Sequence, residues 1–309
     1  MEKARHKQIE QMLGRPVASR QRFIDALAGA VAKGRGFAAG KIGPSEQYWM
    51  IYPVLLEKAT SRLGLRVFEK ELIHHGLKNA GIFPGSPDFY LRYNEQYLPH
   101  VNNMDSLGVF LQGDRRENVV IRHYDLGNLI HYQDQEPDRS VPDNPANCYL
   151  PLFRGKRILL ICTFASLLRT RATRESFEGV WAKTGKKWFD PRQVEALEFP
   201  YGFSPETHAR YATSLDLLAE IEHEIEQRDF DIALIGAGGL ALPIASFIKN
   251  KGRIALDLGG HLQVLFGVIG RRWRNQPVWR DTYFTDAWID MPDRYKPGQT
   301  DVCDSGAYW

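Results

Sequence analysis

A turn of glycines late in the chain is the clearest candidate for binding a ligand. It lies between the apolar run Ile232–Ile235 and the apolar stretch Leu240–Ile248, and this pattern predicts a strand, a turn and a helix. Glycines in such a turn let backbone N–H groups and a helix N-terminus approach an anion, most often a phosphate. We therefore expect Gly236, Gly238 and Gly239 to line a nucleotide-type ligand.

The same turn fits more than one kind of site. The segment Gly236–Ala241 has the G-x-G-x-x-A spacing of the dinucleotide fingerprint, and Asp257 follows at about the distance of the acidic residue that meets a ribose hydroxyl. That fingerprint normally lies on the first strand of its domain, whereas this turn lies late in the sequence. A third interpretation is that the glycines only permit tight packing of the helix on the sheet.

A second candidate site follows the predicted strand Phe37–Ile42. Lys41 lies near the end of this strand, Gly43 begins a turn, and a helix is expected to begin near Ser45. Glu46 then falls in the first helical turn, where free N–H groups favour a carboxylate. Capping of the helix by Ser45 and Glu46 explains the same residues equally well.

His261 is a third candidate. The run Ile254–Leu258 predicts a second strand that stops at Gly259 and Gly260, and His261 opens an apolar helix directly after it. Ligands gather outside the carboxyl ends of strands in open parallel sheets, although a packed or capping histidine fits the same pattern. The adjacent His74 and His75 point about 100° apart on a helix, so we interpret them as ordinary surface or boundary residues.

The elements that must position these residues predict an α/β protein. From residue 155 to residue 260 the order is β-α-β-α-β-α-β, with strands at RILLICTF and Val194–Phe199 and a helix opened by a capping box at Thr213 and Asp216. This order predicts a Rossmann-like parallel sheet flanked by helices. The segment Glu117–Tyr132 fits either a helix or a strand.

The N-terminal region is expected to be mostly helical. Two helices are predicted within residues 4–33, the second with an apolar face at Phe23 and Leu27, and residues 54–104 are mostly helical with breaks at Gly64, Gly76 and residues 83–87. Residues 1–34 are read as a helical segment and residues 35–309 as the main domain. The proline-bearing loop within residues 133–150 is a candidate internal boundary.

Composition narrows the classes of function. The 309 residues are 43% hydrophobic with a net charge of +3, which is too slight to predict a nucleic-acid partner. Cys148, Cys162 and Cys303 have no metal-type spacing, and no metal site is predicted from them. No apolar run is long enough for a membrane span, which leaves peripheral association open, and no secretory leader is recognised, so we expect a cytoplasmic protein.

Several motifs resemble those of the GT-D-fold glycosyltransferases. GRGFAAGKIGPSEQ resembles their N-terminal signature, R-F/Y-G-D-G-E, and RILLICTFASLL resembles their middle strand. IGAGGLALPIASFIKNKGRIALDLGGHLQVLFG resembles their C-terminal strand–glycine–helix–strand unit. FGVIGRRW and the aromatic pair at residues 308 and 309 are similar to relatives associated with bacterial polysaccharide gene clusters. The resemblance covers about residues 35–309.

The resemblance implies a transferase that moves a sugar from a nucleotide-sugar donor to a polysaccharide or lipid-linked glycan. Such a transferase needs a carboxylate or a histidine to deprotonate the acceptor hydroxyl, and Glu46 and His261 are the catalytic candidates. The residues expected at the nucleotide sugar are Lys41, Gly43, Ser45, Gly236, Gly238, Gly239, Asp257, Gly259 and Gly260. The alternatives are an NAD(P)-dependent oxidoreductase that uses the glycine turn, and a catalytically inactive glycan-binding protein.

The signature also departs from the family pattern at functional positions. Gly43 and Glu46 match, but Lys41 replaces the Arg, Pro44 replaces the Asp and Ser45 replaces the Gly. In the family, the Asp and Glu bind the diphosphate through a divalent metal. Without the Asp, a hard oxygen ligand is missing, so Mn²⁺ or Mg²⁺ dependence cannot be carried over. Lys41 or an arginine could supply the positive charge instead.

Overall fold

The fold is organised by one parallel β-sheet. The computed structural model describes residues 10–11, 13–58, 62–110, 115–137, 148–298 and 306–309. Within these ranges, seven parallel strands pair in the order β3-β2-β1-β7-β6-β4-β5. The strands are β1 (Phe37–Lys41), β2 (Ser106–Val109), β3 (Leu129–His131), β4 (Arg157–Cys162), β5 (Gln193–Leu197), β6 (Ile232–Gly236) and β7 (Ile254–Asp257). A separate short pair joins β8 (Val268–Ile269) to β9 (Ile289–Asp290).

Helices cover both faces of the sheet. In the N-terminal part they are α1 (Arg20–Lys33), α2 (Glu46–Lys58), α3 (Arg62–Ile73), α4 (Pro87–Asn102) and α5 (Arg115–His123). The next five are α6 (Ala165–Arg171), α7 (Arg174–Val180), α8 (Pro205–Arg210), α9 (Ser214–Glu226) and α10 (Ala241–Asn250). The last three are α11 (His261–Leu265), α12 (Arg271–Arg274) and α13 (Pro277–Thr282). The predicted α/β architecture, a parallel sheet flanked by helices with a mostly helical N-terminal region, is confirmed.

The predicted strand–turn–helix–strand unit is also confirmed. Strands β6 and β7 are adjacent and parallel, with Ile232 opposite Ile254 and Leu234 opposite Leu256. Their side chains are buried because helices cover both faces of the sheet, which explains why both strands are apolar throughout. The capping box at Thr213 and Asp216 forms at the start of α9 as expected.

The direction in which the chain leaves each central strand opens crevices at the carboxyl edge of the sheet. The helices that follow β1 and β6, α2 and α10, pack in the hydrophobic cluster on one face. The helices that follow β7 and β4, α11 and α6, pack in the cluster on the other face. Because neighbouring strands send their connections to opposite faces, the loops part above the strand ends, where open sheets bind ligands.

Several local predictions need correction. The ambiguous segment Glu117–Tyr132 contains both a helix and a strand, α5 and β3. The predicted break at Gly64 is wrong, because this residue lies within α3. The break near Gly76 is a single π-helical turn, His74–Asn79, where the Tyr90 ring packs directly on Gly76.

Some predictions fall partly outside the described residues. The second N-terminal helix is α1, whereas most of the first lies outside the described ranges, as do Cys303 and most of the loop proposed as an internal boundary. Strands from both sides of that loop nevertheless pair in one sheet, since β1 lies between β2 and β7. No helix in the described ranges has both the length and the apolar character needed to cross a bilayer.

The contact between the glycine turn and the segment before α4 gives a stability prediction. A methyl group at Gly239 would meet Ile82 at 2.6 Å and Trp49 at 3.1 Å. We expect Gly239→Ala to lower the free energy of unfolding by about 1–3 kcal/mol through overpacking. Gly29→Ala in α1 is the matched control, because a methyl group there meets nothing within 4 Å. It should stabilise the helix by about 0.5–1 kcal/mol. Equal effects of both changes in urea denaturation would contradict this account.

Candidate functional site

A polar cleft of about 480 Å³ lies at the carboxyl ends of β1 and β7. Two segments that are far apart in the sequence, residues 41–46 and residues 257–261, form its centre because β1 and β7 are neighbours in the sheet. Nine of the eleven site residues predicted from the sequence line this cleft. They are Lys41, Gly43, Ser45, Glu46, Gly238, Asp257, Gly259, Gly260 and His261.

Lys41 and Asp257 place opposite charges at the base of the cleft. The Lys41 ammonium donates to the backbone carbonyl of Leu258 at 2.9 Å, and the Asp257 carboxylate accepts the N–H of Gly259 at 2.8 Å. A Cβ at Gly259 would lie 3.0 Å from Lys41 Cε, and this residue has a φ of +53°. Glycine is therefore needed both for this backbone conformation and for the path of the lysine side chain.

Burial dominates the electrostatics of Asp257. It raises the pKa of the carboxyl group, because removing the charged form from water is costly. The Lys41 ammonium and the backbone N–H groups of Gly259 and Lys41 act in the opposite direction and offset only part of this increase. The cleft therefore holds a carboxyl group that takes up a proton more readily than an exposed aspartate.

Glu46 is the first residue of α2 and is 8% exposed. Its carboxylate lies against the backbone of Gly43, in the space that a Cβ at residue 43 would occupy. Beneath it lie Tyr93 and Tyr97: burial raises the pKa of both phenols well above 10, and the nearby negative charge of Glu46 adds to the increase. Glu46 therefore lines the cleft and lies near two buried phenols.

His261 forms a close pair with Glu136. The distance between His261 Nδ1 and Glu136 Oε1 is 3.2 Å, and the two side chains are 8% and 6% exposed. The guanidinium of Arg20 fixes this loop by donating to the backbone carbonyls of Asp134 and Glu136 at 3.0 and 2.8 Å. The ring of Trp279 packs edge-on at 5.7 Å from the imidazole. A buried carboxylate that engages one ring nitrogen fixes the orientation and the tautomer of the histidine.

Other residues at the cleft were missed by sequence reasoning. Glu136 and Tyr132 follow β3, whose recognition would have placed them at the same carboxyl edge as β1 and β7. Arg272 also lines the cleft. It lies in a segment rich in basic and aromatic residues, and the sequence alone does not indicate where that segment packs. His75, read as an ordinary residue, lines the cleft and stacks on Tyr48 at 4.1 Å.

Two of the predicted glycines do not line the cleft. Gly236 lines a neighbouring cavity at the ends of β4 and β6. Gly239 is buried, and its N–H donates to the carbonyl of Ala80 at 2.9 Å. This N–H is therefore used within the protein, and the close approach at Gly239 is made by Ile82 and Trp49. Tight packing explains Gly239 better than contact with a nucleotide does.

The cleft does not fit the divalent metal that the family resemblance implies. Across the described part of the chain, no three His, Cys, Asp or Glu side chains gather as metal ligands. Pro44 lines the cleft where the family has its Asp, and the ammonium of Lys41 already lies near the Asp257 carboxylate. A lysine in this place supplies a fixed positive charge without a set of metal ligands.

Comparisons with known proteins include one distantly similar solved structure. No protein-family model matches the chain, and no curated protein matches it. One solved structure that the chain resembles is described as "domain of unknown function 1792 (DUF1792)". The identity is 12%, the coverage is 84% of this chain and 83% of that chain, and the TM-score is 0.44. At this level the likeness bears on neither the activity nor the ligands of this chain.

The raised pKa of Asp257 predicts a pH dependence of stability. Because the folded state holds this proton more tightly than the unfolded state, the wild-type protein loses stability as pH rises from about 4 through the raised folded pKa. Asp257→Asn removes this loss. We therefore expect the variant to gain stability relative to the wild type between about pH 4 and pH 7.5 in urea denaturation.

Asp231 is a control for which we expect the opposite pH dependence of stability. Its hydrogen bonds with Arg157 are the main cause of its lowered pKa, so its contribution is present above the unfolded pKa and is lost as pH falls. Asp231→Asn should destabilise the protein more at about pH 7.5 than at about pH 2.5, below the unfolded pKa of an aspartate. The assignment fails if the two variants show the same pH trend.

Proposed function

We propose that this protein is a glycosyltransferase that moves a sugar from a nucleotide-sugar donor to a hydroxyl of a polysaccharide or lipid-linked glycan. The observation that supports it most directly is the convergence of Lys41, Glu46, Asp257 and His261 in one cleft. These residues come from the two segments that resemble the family's N-terminal signature and its C-terminal unit. The cleft thus offers a cation for a leaving diphosphate and buried groups that can accept a proton.

The reaction requires one bond to form and one to break. The acceptor oxygen attacks the anomeric carbon of the donor, the bond from that carbon to the diphosphate oxygen breaks, and the nucleoside diphosphate leaves. Negative charge develops on the diphosphate, and we assign Lys41 and Arg272, which both line the cleft, to its stabilisation. The acceptor hydroxyl gives its proton to a base on the protein.

Two groups can act as that base. Glu46 is the carboxylate that matches the family's acidic pair, and it faces the cleft from the start of α2. His261 has its Nδ1 engaged by Glu136, so the neutral ring carries its lone pair on Nε2. In that case Glu136 is a positioning residue that also stabilises the imidazolium once the proton is transferred. Glu46 is the first assignment, and His261 is the second.

The alternative functions make different predictions for ligand binding. An NAD(P)-dependent oxidoreductase would use the glycine turn. In this structure, however, the N–H of Gly239 donates to the carbonyl of Ala80, and the carboxylate of Asp257 accepts the N–H of Gly259. A thermal-shift panel separates the candidates: a glycosyltransferase is stabilised by nucleotide sugars and not by NAD(P)H, and an oxidoreductase shows the reverse. Stabilisation by neither class, together with binding of a glycan, would favour an inactive glycan-binding protein.

Glu46→Gln is the sharpest test of the catalytic assignment. The variant keeps the size of the side chain and a hydrogen-bonding group but removes the charge, so it should melt within a few degrees of the wild type. We expect sugar transfer to fall at least about a hundredfold, the usual scale for loss of a general base. Glu57→Gln, on the exposed face of the same helix, should transfer at the wild-type rate. Near-normal transfer by folded Glu46→Gln would move the assignment to His261.

Glu136→Gln tests the pair with His261. If His261 is the base, the imidazolium loses its stabilising anion in this variant, so kcat should fall roughly tenfold or more and the acidic limb of the pH–rate profile should move to lower pH. Glu136→Asp should restore part of both effects. Glu224→Gln, which removes a surface ion pair with Arg228, is the control. A lower kcat with an unchanged pH profile would show that Glu136 has only a structural role.

A further inference from the structure

A second cavity, of about 130 Å³, lies beside the cleft at the carboxyl ends of β4 and β6. Six aromatic side chains line it, namely Phe164, Phe199, Tyr201, Phe203, Tyr308 and Trp309. Among the described residues, none of the side chains that line it is an aspartate, glutamate, lysine or arginine. It therefore favours an uncharged ring and disfavours a phosphate.

The cavity and the cleft are continuous. Gly238, Gly259, Gly260 and Tyr308 line both. At Gly260 a Cβ would lie 2.7 Å from the Tyr308 ring, so the absence of a side chain lets this ring close on the backbone between the two spaces. A ligand with an uncharged ring at one end and a charged group next to it could occupy both spaces at once.

The aromatic lining is held in place by its own contacts. The Tyr201 hydroxyl donates to the carbonyl of Tyr295 at 2.8 Å, and its ring lies 5.2 Å from Phe203 and 5.8 Å from Trp309. The ring of Trp309 meets Tyr201 nearly edge-on. A preformed aromatic lining suits stacking with a flat ring system, because little side-chain freedom is lost on binding.

We propose that this cavity binds the base of the donor nucleotide. The inference rests on the proposed function and adds an assignment of where each part of the donor lies. A nucleoside diphosphate joins a flat, uncharged base to a charged diphosphate, which matches an uncharged aromatic cavity that opens into a cleft carrying Lys41 and Arg272. An acceptor sugar fits less well, because its many hydroxyls need more polar partners than this lining provides.

Calorimetric titration of the full chain tests the proposal. The probes are the diphosphates of uridine, guanosine, cytidine, adenosine and thymidine, with inorganic pyrophosphate as the probe that lacks a base. Tyr201→Ala and Trp309→Ala should each weaken the preferred nucleoside diphosphate about tenfold or more, the scale of base stacking on an aromatic ring. Both should bind pyrophosphate within about twofold of the wild type. Tyr201→Phe and Trp309→Phe keep a ring and should retain most of the affinity.

The remaining outcomes separate this proposal from the proposed function. If the wild type binds a nucleotide and both alanine variants bind it equally well, the cavity is not the base site. The proposed transferase function is not affected by that result. If the alanine variants lose affinity equally for pyrophosphate and for the nucleotide, the aromatic side chains support the fold rather than bind the base. That result also contradicts the proposal of a base site. If the alanine variants change only the KM for the acceptor, the cavity is an acceptor site instead. Absence of any nucleotide binding by the wild type would overturn both proposals.

Discussion

The pairing of β1 with β7 is the constraint on which the candidate site depends. These strands lie far apart in the sequence, and their register places Phe37 opposite Ile254 and Ala39 opposite Leu256. This register carries Lys41 and Asp257 to the same edge of the sheet, where the lysine lies close enough to oppose the effect of burial on the Asp257 pKa. A shift of one residue would change which residues of the two strands lie opposite each other and would alter this contact.

Glycine has two different roles around this edge. At Gly259 the backbone lies in the left-handed region and the missing side chain leaves room for Lys41, so this glycine shapes the charged cleft. At Gly239 the missing side chain instead admits Ile82 and Trp49, which fixes the segment before α4 against the sheet. The same residue type therefore supports the ligand-facing surface at one position and the packing beneath it at the other.

The sequence predicted the parts of the structure that depend on local patterns. The apolar runs of β4, β6 and β7 and the capping box of α9 can be recognised because burial and capping leave a signature in consecutive residues. Glu136 could not be recognised in this way, because its partner His261 lies far along the chain and their contact depends on the order of strands in the sheet. Gly239 packs against Ile82 and Trp49, and a glycine that admits a neighbouring side chain looks the same in sequence as one that admits a phosphate.

Under the proposed function, Pro44 stands where the resembled family has a metal-binding aspartate, and the cleft offers a physical explanation. A divalent cation needs several oxygen ligands, whereas a lysine carries its charge on its own side chain. The lysine needs only room for that side chain and a hydrogen-bond acceptor for its ammonium group. Gly259 leaves room for the Lys41 side chain, and the carbonyl of Leu258 accepts the hydrogen bond from its ammonium group. In the proposed function, Asp257 balances the charge of Lys41, and its raised pKa favours the neutral carboxyl group when the diphosphate of the donor meets the lysine.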